Sequence, residues 1–483
     1  MKGNIVRKCV LSLGLFCSFL SWSQTKLWTL NDCVSYALEN NLSIQQSLLE
    51  EERANINLNM AKGNFMPSVS ANANHSWTVG LNQNITTGLL QNQTTQFTAA
   101  GVDVGVDLFK GLQNQKQLAK SRLQSAATLY QSQKMKEDVA LNVVNSYLQV
   151  IFNKELVKVN KSQLDYQKGQ ESRVANLVNA GVVPSGDLID VRASVAQANQ
   201  QLILASNAVT MSKLALAQLL QLKDYENFDV IDVDYEVGLS EVLSNSAKEV
   251  VERAKETQID LKLAETQVEI SERDLEISKS AYYPQIRAFY SLATRAAYMD
   301  QITGYELNTA NPTQVIGVVE GTNQNVLQPN MSPIISGPNS LFNQFDDNIG
   351  HSFGVGISIP IFNGFSVRNS VKLSKLNLEN SKKEKEVSVL KLEQTVYAAY
   401  SDTQNALESF EASKVTYEAR NLALEYAKER YEVGLMNVFD FNQAQNLLVV
   451  AESDMLKAKY DYIFKTKILE YYFGVPLFEN EAL

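Results

Sequence analysis

Past its first two dozen residues, the 483-residue chain has no run of about eighteen apolar residues, which excludes a membrane-spanning helix. That leaves a soluble exported protein or a β-barrel. Proline is scarce: of nine, only Pro184 and Pro476 lie near the long stretches that read as helix, and the other seven cluster elsewhere. The two histidines, His75 and His351, have no partner at metal-ligand spacing. HExxH, CxxC, GxSxG and phosphate-loop motifs are missing. No catalytic group, cofactor or metal is therefore expected, and the chain does not read as an enzyme. Charge is moderately acidic, 43 Lys and Arg against 53 Asp and Glu, which argues against a nucleic-acid partner.

Cysteine is also scarce. Residues 1–23 read as a secretory signal, with Lys2, Arg7 and Lys8 before the apolar run Cys9 to Leu20, and small Ser21 and Ser23 before Gln24. Phe16 precedes Cys17 where a lipid-attachment site needs a small residue, so lipidation is not expected. Loss of the signal removes Cys9 and Cys17 and leaves Cys33 without a disulfide partner.

What the chain does have is its own plan twice. Val102–Gly111 and Val355–Gly364 are alternating segments that end in Phe109-Lys110-Gly111 and Phe362-Asn363-Gly364, at an offset of 253. Gly181 and Gly434, and Asp187 and Asp440, keep that offset. Upstream, Pro67 and Pro284, Ala37 and Ala254, and Leu42 and Ile259 are offset by 217, so the second copy carries 36 extra residues between Pro284 and Phe353. Each copy reads helix, strand, loop, strand, long helix, glycine tip, long helix. The first repeat is 24–238, with β-hairpin 66–110 and long helices 111–222. The second is 239–483, with β-hairpin 283–363 and long helices 367–472.

Four segments alternate with period two. Val102, Val104, Val106 and Leu108 oppose Asp103, Gly105 and Asp107, and Ile286, Ala288, Tyr290 and Leu292 oppose Gln285, Arg287, Phe289 and Ser291. The segment from Ser68 and the one from Phe353 to Ile361 do the same. This suits an outer-membrane strand or a half-solvated soluble sheet equally. Four strands cannot close a membrane barrel. If they enter lipid, copies must pool them, eight strands from two chains or twelve from three, and only twelve leave an aqueous bore.

Glycine and proline are almost absent from 111–179 and 367–433, so each reads as a helix of nearly seventy residues, roughly 100 Å long. Leu141, Val144, Leu148 and Ile151, and Phe410, Tyr417 and Leu424, recur at coiled-coil spacing. The narrow stripe, flanked by Gln, Asn, Ser and Ala, suits a wall wetted on both sides. On helices alone, a solid antiparallel coiled coil fits better.

Taken together, these residues resemble the TolC family of outer-membrane efflux ducts over essentially the whole chain beyond residue 23. Trp28-Thr29-Leu30-Asn31-Asp32-Cys33-Val34-Ser35-Tyr36-Ala37-Leu38-Glu39-Asn40-Asn41 resembles the family's first helix. Ala180-Gly181 with Asp187-Leu188, and Arg430-Tyr431-Glu432-Val433-Gly434 with Phe439-Asp440-Phe441, resemble its helix–turn–helix tips. The resemblance implies an α+β membrane protein. It would be a homotrimer, each chain giving four strands to a twelve-stranded transmembrane β-barrel and its long helices to a periplasmic α-helical barrel. The tips would meet a periplasmic adaptor (membrane fusion) protein and an inner-membrane pump of the RND or ABC type.

Site expectations follow. Gly181 and Gly434 fit helix C-caps, and by resemblance they are adaptor-contact tips. Asp187 and Asp440 fit N-terminal helix capping. The alternative is an acidic constriction, each carboxylate repeated three times around an axis. The family's second acid, three residues on, is Gln443 in the second copy, whereas Asp190 stands there in the first. Asp103, Asp107 and Arg287 suit a plain solvated face better, or in a barrel they face the lumen. Trp77 and Tyr282-Tyr283 suit interfacial girdles or, equally, a core. Segment 304–348, rich in Asn, Gln, Thr, Gly and Pro, reads as a long extracellular loop or, equally, as a disordered insert without function. Three functions compete: a duct for efflux or secretion, a structural coiled-coil envelope protein, and a soluble hydrolase. The second leaves the paired β segments unexplained and the third lacks a site.

Overall fold

A computed structural model describes residues 27–83, 88–232, 237–238 and 240–475. The signal segment with Cys9 and Cys17, and the tail from Pro476, lie outside the described residues. The chain falls into two compact units. One takes in 123–270 and 378–483 with the N-terminal part up to Asn55, and the other takes in 56–122 and 271–377.

The helices display the duplication without adjustment. Helices α1 (Leu30–Asn40) and α2 (Leu42–Gly63) are 11 and 22 residues long. So are α5 (Ala247–Thr257) and α6 (Ile259–Ser280). Helices α3 (Gln113–Asn179) and α8 (Ser366–Glu432) both have 67 residues, and α4 (Ser185–Leu220) and α9 (Val438–Phe473) both have 36. Both first helices start from a reciprocal capping box, Thr29 with Asp32 and Ser246 with Glu249. The expected single first helix is broken in each copy, at Asn41 and at Gln258. Each breaking residue turns its side-chain amide to the last helix of its copy: Asn41 Nδ2 donates to the Leu219 carbonyl at 3.1 Å and Gln258 Nε2 to the Tyr471 carbonyl at 3.2 Å.

The first unit has a duplicated core. Cys33, Val34, Ala37, Val139, Val143 and Leu216 are buried in one copy. Val250, Val251, Ala254, Leu392, Val396 and Leu469 are buried at the equivalent positions of the other. Burying each aliphatic side chain contributes roughly 1.5–3 kcal/mol. The Tyr147 hydroxyl donates to the Trp28 carbonyl, and its counterpart Tyr400 donates to the Asn245 carbonyl. Along α4, Val191, Ala198 and Ala205 are buried at intervals of seven, and Ala451 and Ala458 repeat the seam in α9. Phe410, Tyr417 and Leu424 are only half-buried.

One expectation needs correction. Helix α4 holds an 18-residue window of mean hydropathy 1.3, long and apolar enough by composition to cross a membrane. Its Ala, Leu, Ile and Val residues are interrupted by Gln, Asn and Ser, so no continuous apolar run revealed it. Val191, Ala198 and Ala205 follow a heptad seam, and Leu216, Ala217 and Leu220 are buried near the end of the helix.

The second unit is built on strands β2 (Ser68–Gln83), β3 (Leu90–Lys110), β5 (Gln285–Ala297) and β10 (Gly350–Ser358), counting Leu27–Trp28 and Asp229–Val230 in the first unit as the short parallel pair β1 and β4. They form one antiparallel sheet in the order β10-β5-β3-β2, so the two hairpins join through β3 and β5. The last strand ends at Ser358, short of the expected Ile361. Pro360 has no N–H to donate to a ladder, and Ile359 to Phe362 leave the sheet exposed.

Segment 304–348 is not a plain loop. Strands β6 (Gln301–Leu307) and β9 (Met331–Ser336) pair, as do β7 (Thr313–Val318) and β8 (Asn325–Pro329), and helix α7 spans Leu341–Asp347.

Backbone symmetry is not packing symmetry. Gly111 and Gly364 have φ of 60° and 61° at equivalent points. A Cβ on Gly111 would lie 2.5 Å from the Ser280 carbonyl oxygen and 2.9 Å from Tyr283 Cβ, whereas nothing lies within 4 Å at Gly364. Gly364→Ala should cost about 1–2 kcal/mol, the left-handed penalty alone. Gly111→Ala should add roughly 1–3 kcal/mol of overpacking. Thermal melting of both variants in detergent checks this, and equal losses would refute it.

A half-buried polar cluster lies on α3, α6 and α9. The Tyr471 hydroxyl donates to Glu137 Oε2 at 2.9 Å, and Lys134 meets Asp260 at 2.6 Å. Burial pushes the Glu137 carboxyl above its ordinary value of 4.5, against the Tyr471 and Gln133 hydrogen bonds that lower it. The native chain thus holds this proton to higher pH than the unfolded chain, and stability falls as pH rises through the native pKa. Glu137→Gln should raise the melting temperature at pH 7 and lose that advantage near pH 4. An equal gain at both pH values would contradict the assignment.

Candidate functional site

In the second unit, strand register puts one polar and one apolar face on the sheet. Asp103 pairs with Ser70 on one side and Ser291 on the other, and Asp107 lies opposite Arg287. Directly opposed residues share a face, so Asp103, Asp107 and Arg287 stand together with Ser70, Asn72, Ser291 and Gly354. Asp103 accepts from Asn72 Nδ2 at 3.0 Å and Ser291 Oγ at 2.7 Å. Asp107 pairs with Lys110 at 3.6 Å. Residues three apart on a strand normally face opposite ways. The bulge between Asp107 and Phe109 inserts Leu108 and brings Lys110 onto the polar face. Gly105 leaves the space that Arg287 fills: a Cβ there would lie 2.5 Å from Arg287 Nη2.

The other face carries Val69, Val79, Phe353, Val355 and Ile357, all exposed, Phe353 at 81% and Val79 at 78%. Both histidines lie on it. His75 Nδ1 is 2.7 Å from Thr98 Oγ1, and the ring meets Trp77 edge-on at 4.2 Å. His351 Nδ1 is 2.8 Å from the Tyr290 hydroxyl. Trp77 thus belongs to a polar-tipped aromatic cluster on the apolar face, and Tyr282 and Tyr283 are exposed in the turn before β5.

In the first unit, Gly181 and Gly434 close α3 and α8 with matching turns. Gly181 has φ of 71° and Gly434 of 76°. The amide of Gly181 donates to Val178 and that of Val182 to Leu177, as Gly434 does to Tyr431 and Leu435 to Arg430. This pair of hydrogen bonds satisfies two of the last free carbonyls of each helix. Nothing lies within 4 Å of either missing Cβ, so both tips are open.

Asp187 and Asp440 both sit in the first turn of the helix that follows. At Asp440 the cap is Asn437, not the aspartate as expected: Asn437 Oδ1 accepts from the Asp440 amide at 2.8 Å, and Asn437 Nδ2 donates to Asp440 Oδ2 at 2.9 Å. Asp187 follows Pro184, which offers no side-chain cap. Asp190 is exposed one turn further on.

An aromatic clamp that the motif reading missed lies beneath these tips. Tyr431 stacks on Phe441 with ring centroids 4.9 Å apart and planes at 14°. Tyr166 adds a second ring at 6.2 Å, and the Arg173 guanidinium lies over Tyr431 at 5.6 Å. Burial raises the Tyr431 pKa; Arg173 opposes that and Asp187 adds to it. The clamp ties α3 of the first repeat to the tip of the second. Its first-repeat half has no counterpart, since Tyr426 stands at the position equivalent to Arg173. That loss of symmetry was the available signal.

A model of the family described as outer membrane efflux protein matches residues 33–221 and 250–469. The chain belongs to that family. It is 22% identical over 453 residues to toxin and drug export protein A of Aggregatibacter actinomycetemcomitans, covering 92% of this chain and 85% of the relative. It is 21% identical over 437 residues to outer membrane protein TolC of Salmonella enteritidis, covering 90% and 79%. The fold matches the crystal structure of the Campylobacter jejuni CmeC outer membrane channel with a TM-score of 0.75 at 16% identity, over 94% of this chain and 87% of that one. A membrane protein from Pseudomonas aeruginosa matches at 0.72 and 17%, over 92% and 90%. The protein is an efflux channel of the outer membrane with an extended periplasmic part.

Phe441 is 1% exposed. Phe441→Ala should cost roughly 3–5 kcal/mol, and Arg173→Ala about 0.5–1 kcal/mol. Hydrogen exchange should then quicken at the start of α9 for the first variant and barely change for the second. Unchanged exchange in Phe441→Ala would rule out the clamp as the tip's anchor.

Proposed function

We propose that three copies of this chain pool their sheets into a twelve-stranded barrel, and that the barrel with a periplasmic helical duct passively conducts substrate to the exterior. The observation that carries this reading is the four-stranded sheet: its edge strands, β2 and β10, each have only one partner among the described residues. An edge left open in lipid costs several kcal/mol for each unsatisfied backbone group. The apolar face supplies the lipid contact, and Asp103, Asp107 and Arg287 line the aqueous side. A structural coiled-coil strut has no use for such a sheet.

The duct is read as one member of a tripartite efflux or type I secretion assembly. The open glycine tips Gly181 and Gly434 receive a periplasmic adaptor, and an inner-membrane pump of the RND or ABC type supplies energy that this chain cannot. Asp187, Asp190 and Asp440 form acidic rings at the periplasmic entrance, where the repeated negative charge attracts cations. The name of the Aggregatibacter relative, toxin and drug export, makes polypeptides and small molecules the first cargo classes to try.

The detergent-solubilised protein should have three times the chain mass and form channels of small conductance in a planar bilayer. Conductance should grow when Asp187 and Asp440 are changed to Ala. A monomer that forms no channel would overturn the duct. A trimeric channel indifferent to both changes would keep the duct and remove the acidic constriction.

A further inference from the structure

The segment Gln301–Ser336 forms a β-ribbon on the opposite side of the sheet strands from the helices that feed them, since β5 begins beside α6 and ends where the ribbon starts. Its two ladders run on through Asn330, whose carbonyl accepts from the Asn308 amide and whose amide donates to the Pro312 carbonyl. Register sorts its side chains. Ile302 opposes Ile335, Tyr305 opposes Pro333, Leu307 opposes Met331 and Val315 opposes Leu327. Alternate residues of β8 and β9 put Leu327, Met331 and Ile335 on one face. The other face holds Gln301, Glu306, Gln314, Gln328, Ser332 and Ser336, with Ile334 and Val326 the apolar exceptions. The ribbon is therefore amphipathic, and its apolar face is bare: Tyr305 is 63% exposed, Ile335 58% and Leu327 56%.

A two-stranded ribbon is marginal in water without something packed on it. A contiguous apolar patch of a few hundred Å² on a protein surface marks an interaction site. Two observations choose the occupant. The first is charge: residues 301–336 contain two charged side chains, Glu306 and Glu320, and no Lys or Arg. Such a surface has nothing to attract an anionic headgroup layer or a strongly charged partner, whereas it suits its own apolar face.

The second is place. The ribbon springs from the end of β5 and returns, through α7, to β10, the edge strand of the sheet. Strand β10 begins opposite Ala293, so the last residues of β5 have no strand on that side. Helix α7 stands in: the Ala297 amide donates to Gln344 Oε1 at 2.9 Å, Thr294 Oγ1 to the Phe345 carbonyl at 2.7 Å, and Asn348 Nδ2 to the Arg295 carbonyl at 2.8 Å. Gln344 is buried there and also donates to the Asn339 carbonyl. The ribbon's return end is thus fixed at the edge that the next copy must seal.

We propose that the ribbon is a self-association element, its apolar face covered by the ribbons of the other copies beyond the outer end of the barrel. This rests on the trimeric reading above. The ribbon adds contact between copies outside the strand ladder, and it belongs to the 36-residue insertion that only the second repeat carries.

The test uses the full chain with Leu327→Cys or Val315→Cys on the apolar face and Gln328→Cys on the polar face, treated with a short bismaleimide. Cys33 is a buried thiol, and the unaltered chain sets its background. Either apolar-face variant should give at least tenfold more cross-linked chains than Gln328→Cys. The mass of each untreated variant is measured alongside. A trimeric mass with no such excess would overturn this proposal and leave the trimer standing, pointing to lipid or an external partner on the ribbon. A monomeric mass would overturn both.

Discussion

A β-sheet placed in lipid must satisfy every backbone N–H and C=O, and most of this structure can be understood from that requirement. Within the chain, β3 and β5 have partners on both sides while β2 and β10 do not. Where a strand ends early, the chain itself supplies a substitute, as Gln344 of α7 and its capping residue Asn348 do for the end of β5. Along the full outer edges it supplies none among the described residues, and in the proposed trimer neighbouring copies do so. The same requirement leaves side chains free to divide by face. Serine, asparagine and aspartate bond across the polar side, and valine, isoleucine and phenylalanine cover the other.

Duplication provides the scaffold, and departures from it provide the features that look functional. Helix lengths, capping boxes, buried tyrosines and positive-φ tips recur at fixed offsets because the same local and core contacts are needed twice. The two halves then differ where they meet other things. Arg173 and Tyr166 of the first repeat clamp the second repeat's Tyr431 and Phe441. Gly111 is crowded by Ser280 and Tyr283 where Gly364 is open. The ribbon and α7 exist in one repeat only.

The chain's own periodicities determined much in advance. Helix ends fell within a few residues of expectation, since glycine, proline and capping residues act over one turn. The two sheet faces, with Asp103, Asp107 and Arg287 on one of them, followed from alternation of period two. Family membership followed from motif order and spacing. Only the tertiary structure decided what depends on residues distant in sequence. It set the strand order through β3 and β5, the break at Asn41 that answers to Leu219, the bulge at Leu108 that brings Lys110 to Asp107, and the aromatic clamp across repeats. It also turned an Asn- and Gln-rich insertion into an amphipathic ribbon, whose facing apolar pairs, such as Ile302 with Ile335, lie too far apart along the chain for any local pattern to show them together.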